Sequence, residues 1–115
     1  MANPSKQKGT AWESAVVAYL NDHGFPYAER RALSGSSDRG DVAGIPGVVI
    51  ECKAERQITL AGYMDEVAVE ITNAGASVGV AIVKRRNRGV SDGYAVMTLA
   101  TFAALLADHE VTPCS

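Results

Sequence analysis

The chain has 115 residues, 47% hydrophobic and 21% charged, with a net charge of −2. That is the size of one domain with a single core, and no low-complexity block interrupts it. No apolar run approaches the roughly 18 residues of a membrane helix, and the opening MANPSKQKGT is too polar for a secretory signal. A cytoplasmic protein is therefore expected, or one in a host's cytosol if a phage encodes it.

Residues 1–8 read as a flexible arm. In TAWE, Thr10 as N-cap and Glu13 at the third helical position match a capping box. Val16, Val17 and Leu20 then recur at helical spacing, as do Trp12, Ala15 and Tyr19. Gly24 and Pro26 close this helix. YAERRAL (27–33) alternates as a first strand, and SGSSDRG (34–40) is a loop by composition. DVAGI (41–45) and VVIECKAE (48–55) read as a hairpin around the turn at Pro46 and Gly47. Leu60, Tyr63, Met64, Val67, Ala68, Ile71 and Ala74 mark one helix face, with Gly75 as its stop.

SVGVAIVK (77–84) is apolar on both faces, as a buried strand should be. RRNRGVSDG follows as a basic loop and YAVMT (94–98) as a last strand. LATFAALLADH (99–109) is a terminal helix with Thr98 as N-cap. Its leucine-rich stripe is expected in the core, or in a dimer interface. The order α-β-β-β-α-β-β-α predicts an α/β fold, a mixed β-sheet flanked by helices. Two cysteines, Cys52 and Cys114, make no disulfide framework, and the isolated His23 and His109 give no zinc spacing.

The unusual stretch is VVIECK (48–53), where an apolar strand ends in Glu51 and Lys53. Residues i and i+2 of a strand share a face, so these two charges point together while Cys52 points away. Asp41 opens the partner strand, and cross-strand neighbours lie only about 5 Å apart. Two ionised carboxylates about 4 Å apart repel by roughly 4 kcal/mol at an effective dielectric near 20. A divalent cation between them removes that cost. Carboxylate oxygens with water suit Mg2+ or Mn2+, and a neighbouring lysine can orient water and offset charge on a phosphate. The constellation suits phosphodiester hydrolysis.

Asp41, then ECK at the end of an apolar strand, preceded by a helix carrying Glu13 and followed by a helix and a further strand, resembles the PD-(D/E)xK nuclease superfamily. The small archaeal-type Holliday-junction resolvases are similar in size and layout, over roughly residues 9–107. The resemblance implies a restriction-endonuclease-like fold and a metal held by Asp41, Glu51 and the backbone carbonyl of Cys52. It implies Lys53 as the residue that orients or activates water, and Glu13 reaching the site directly or through water. It also implies a functional serine before Asp41, for which Ser34, Ser36 and Ser37 are candidates, and a supporting polar residue at Gln57. Gly40 stands where many members carry proline.

The resemblance implies a metal-dependent endonuclease on branched DNA, expected to act as a homodimer because one site cannot cut two strands symmetrically. Phosphate contacts are expected from Lys6, Lys8, Arg30, Arg31, Arg39, Lys84, Arg85, Arg86 and Arg88. The alternatives are a nicking, repair or restriction-type endonuclease, or an idle nucleic-acid-binding module of the same fold. The plainer readings are Glu13 as a capping partner, Asp41 as a turn residue, and Glu51–Lys53 as an exposed ion pair on an edge strand.

Overall fold

The computed structural model describes residues 4–32 and 37–109. They form an α/β fold with three helices and two sheets. Helix α1 spans Pro4–Asp22. Proline suits a first turn, where its missing N–H would have had no partner. The helix thus starts earlier than expected: Thr10 lies inside it rather than capping it, and residues 4–8 are helical rather than part of an arm. Gly9 alone costs about 1 kcal/mol against alanine, too little to stop the helix.

α1 buries Trp12 and Val16, one turn apart. The Trp12 indole N–H donates to the Ile82 carbonyl at 2.9 Å, tying the helix to the sheet. In the last turn of α1, the Asn21 amide donates to the Phe25 and Ala28 carbonyls at 3.1 and 2.9 Å, shaping the turn into the first strand.

Strands β1 (Glu29–Arg30) and β2 (Val42–Ala43) pair antiparallel. Over the described part of the expected 27–33, β1 is shorter than expected, and among these described residues Ala28 alone is buried. Strand β3 (Val48–Lys53) runs parallel to β4 (Val78–Val83), from Val48↔Val78 to Lys53↔Val83. β5 (Tyr94–Val96) adds antiparallel to β4. Parallel neighbours need a crossover, and helix α2 (Leu60–Ala74) supplies it, ending at Gly75 in the left-handed region.

The expected hairpin is only partly made, because β2 pairs with β1 and β3 with β4. Two backbone bonds join the two segments, from the Asp41 N–H to the Ile50 carbonyl at 2.8 Å and from the Val48 N–H to the Ile45 carbonyl at 3.2 Å. The next donor on β3, the Cys52 N–H, is taken by the Asp41 side chain instead, so the ladder stops there.

Two apolar clusters lie on opposite sides of the sheet. Ala28, Val42, Ile50 and Val80 pack on the α1 side, and Tyr63, Val67, Ala81 and Val83 under α2. A Cβ at Gly79 would sit 2.5 Å from the Ile71 and Val67 side chains, which lets α2 rest directly on β4. Helix α3 (Leu99–Asp108) is capped as expected, the Thr98 Oγ1 accepting the Thr101 N–H at 3.2 Å. None of its residues is buried, and Leu99, Phe102, Leu105 and Leu106 are exposed, so its stripe is not core as expected. The two clusters close against the sheet without it. Among the described residues no helix is long and apolar enough to cross a membrane.

Candidate metal centre

The site is built where β3, α2 and the segment before β2 converge. Gly40 begins it, with φ +93° and room for no side chain: a Cβ there would lie 2.8 Å from the Ile50 carbonyl oxygen. Proline, fixed near φ −65°, cannot take this conformation, which accounts for the glycine before Asp41. The close approach lays Asp41 along the open edge of β3, where its Oδ2 accepts the Cys52 N–H at 2.7 Å. N–H and C=O of one extended residue share an edge, so the Cys52 carbonyl projects beside Asp41.

Glu51 and Lys53 share the face turned to α2. Glu51 is 6% exposed, so the exposed-ion-pair reading does not hold. The carboxyls of Asp41 and of Glu70 from α2 both stand close enough to act on its own. Glu70 has no exposed surface, and neither of its carboxylate oxygens has a hydrogen-bond partner. Asp38, Glu51 and Glu70 offer oxygens that all lie within 4.8 Å of one another. Asp38 is fixed twice: its Oδ1 accepts the Gly40 N–H at 3.0 Å, and Asn73 of α2 donates to its carbonyl at 2.8 Å.

Electrostatics follow from this crowding. Burial, then the nearby Asp41 and Glu70 carboxyls, pushes Glu51 up to about 11. Burial, reinforced by Asp38 and Asp41 and opposed by its contact with Glu51, raises Glu70 to about 7. Among the described residues, no ion pair reaches Asp38, Asp41, Glu51 or Glu70. Lys53 instead holds Glu66 at 2.8 Å and Glu55 at 4.0 Å, with its ammonium 5.2 Å from the Tyr63 ring centre. Burial alone would lower the Lys53 pKa, but the Glu66 hydrogen bond and the charges of Glu51, Glu66 and Glu55 outweigh it and raise it. The lysine is an ammonium ion here. Four carboxylates beside one cation make a hard-oxygen donor set of the kind that takes Mg2+ or Mn2+.

The other expected residues are dispersed. Glu13 pairs with Arg30 at 3.4 Å and stands outside the cluster of three oxygens. Its charge, after burial and Asp41, helps raise the Cys52 thiol. The Gln57 side chain is exposed, and its backbone carbonyl accepts from the Tyr63 hydroxyl at 3.3 Å. Ser37 is exposed, while Ser34, Ser36 and Cys114 lie outside the described residues.

Of the expected phosphate-binding residues, Lys8, Lys84 and Arg86 line one surface and Arg31 and Arg39 another, while the Lys6 side chain lies outside the described residues. A groove of about 520 Å3 beside Cys52 and Lys53 is lined by Lys8 and Arg56, and a groove of about 370 Å3 adds Lys84 and Arg86. Arg31 and Arg39 line another groove, of about 470 Å3, at the start of β3. Arg85 lies over the Tyr94 ring at 5.8 Å.

Asp38, Glu70 and Arg56 were not anticipated. Glu70 did leave a signal: it falls seven residues after Tyr63 and three after Val67, on the apolar stripe of α2, where a carboxylate has no structural reason to be. Asp38 left none, since its role depends on a loop conformation. No family model, curated protein or solved structure matches the chain.

Proposed function

We propose that the protein is a Mg2+- or Mn2+-dependent DNA endonuclease of the PD-(D/E)xK kind with a restriction-endonuclease-like fold, and that it resolves four-way junctions as a homodimer. The observation that carries this reading is the buried Glu51 carboxylate, with Asp41 along the same strand edge and Lys53 next on the same face. The donor set fits a hard dication, because among the described residues no ion pair reaches these carboxylates and Glu70 has two orphaned oxygens. Asp41, Glu51 and the Cys52 carbonyl would hold the ion. When bound, it supplies a Lewis acid for the phosphate and for water.

Lys53, kept protonated by its acidic neighbours, offsets negative charge on the phosphate and orients the attacking water through a donated hydrogen bond. Glu66 and Glu55 hold the ammonium in place meanwhile. The groove lined by Lys8 and Arg56 gives the DNA backbone a route to Lys53.

Four-way, flap and linear duplexes of one sequence, incubated with and without MgCl2, test the reading. Cleavage of the junction alone, lost in Asp41→Ala, Glu51→Ala and Lys53→Ala, is the expected result. Equal cutting of all three would select a nicking, repair or restriction-type endonuclease, the second reading, which the net charge of −2 favours over a dedicated junction binder. No cutting by the parent, or undiminished cutting by the three variants, would remove the proposal.

A further inference from the structure

We infer that Asp38, Glu51 and Glu70 form a second divalent-cation site beside the one assigned to Asp41 and Glu51, with the Glu51 carboxylate shared between the two ions. This rests on the metal-dependent reading above and adds residues to it that the resemblance does not supply.

Glu70 carries the argument. It is wholly buried, its two oxygens find no donor among the described residues, and they lie within 4.8 Å of oxygens from Glu51 and Asp38. An unpaired buried carboxylate is among the costliest groups a fold can hold. A purely structural position on the α2 stripe would be filled by leucine or valine. Nothing basic relieves it, because Lys53 is engaged by Glu66 at 2.8 Å.

The geometry also separates two grips. Asp41 accepts the Cys52 N–H at the strand edge and stands outside the group of three, while Asp38, Glu51 and Glu70 bring oxygens within 4.8 Å of one another. Asn73 anchors the Asp38 backbone to α2 at 2.8 Å, so the two outer ligands are fixed to one helix. Ions that share a carboxylate stand about 3.5–4 Å apart, the separation that suits in-line displacement at phosphorus.

Calorimetric titration of the metal-free full chain with MnCl2, with electron paramagnetic resonance of the loaded protein, tests this without any cleavage. Two Mn2+ per chain with spin coupling between them is expected. Glu70→Gln, isosteric and uncharged, should bind one Mn2+ per chain and show no coupling. Asp41→Asn should also bind one, and circular dichroism confirms that each variant is folded. One ion per chain in both parent and Glu70→Gln would overturn the second site and leave the Asp41–Glu51 site standing. Two ions in Glu70→Gln would overturn the role of Glu70. No binding to the parent would overturn both this inference and the metal-dependent reading.

Discussion

The two sides of β3 face interiors of different kinds. Toward α1, Ile50 and its neighbours Ala28, Val42 and Val80 form an apolar cluster with Val17, Leu20 and Met97 against it. Toward α2, the same strand presents Glu51 and Lys53 beside Tyr63, Val67 and the buried Glu70. The α1 side gains from every group it buries, at roughly 25 cal/mol per Å2 of apolar surface. The α2 side gives up part of that gain to keep charges close together. On the proposed function, stability and chemistry are divided across one strand, and substitutions on the two sides should separate them.

The largest expected effect is Glu51→Ala, which should slow Mg2+-dependent cleavage by about 10³-fold or more, while the urea midpoint of the metal-free protein stays level or rises. A large fall in midpoint would show that Glu51 supports the fold, and the division would fail. Trp12→Ala is the counterpart on the α1 side. It removes a ring that is 4% exposed and its bond to Ile82, so chemical denaturation should show a loss of about 3–5 kcal/mol. The cleavage rate per folded molecule should be unchanged.

A pH titration sharpens the contrast. Glu51 and Glu70 are raised in the fold relative to the unfolded chain, to about 11 and about 7. Their protonated forms therefore add stability that is complete below the ordinary glutamate range and is lost as pH rises through the folded values. The metal-free protein should melt several degrees lower at pH 8 than at pH 5, and MnCl2 should restore more at pH 8. A melting temperature that climbs over that interval would contradict the buried cluster. The smallest effect is Arg30→Ala. Its pair with Glu13 is partly exposed, and breaking it should cost under about 1 kcal/mol.

The sequence made much of this frame legible. Element order, the C-cap at Gly75 and the Thr98 cap follow from local chemistry that acts within a few residues. The pairing of Glu51 with Lys53 on one face follows from the period of a strand. The start of α1 was hidden because Thr10 and Glu13 satisfy a capping pattern that the longer helix makes unnecessary. The partner of β2 was hidden because Asp41 uses its side chain, not its strand, to meet Cys52. Glu70 and Asp38 were hidden for a third reason: their meeting with Glu51 exists only once the crossover through α2 has closed, and residues so far apart carry no mutual periodicity.

The chain has a single tryptophan, and the fold places it at the seam between α1 and the sheet, against Gly93. The indole is therefore a native fluorophore at the joint that unfolding must open. Its emission should lie to the blue in the folded molecule and move to the red as water enters, so detachment of α1 can be followed optically in unlabelled material. The carboxylate cluster lies across the sheet, and titration with manganese tests the proposed metal centre through a separate signal, so the two halves of the domain can be watched independently in one sample.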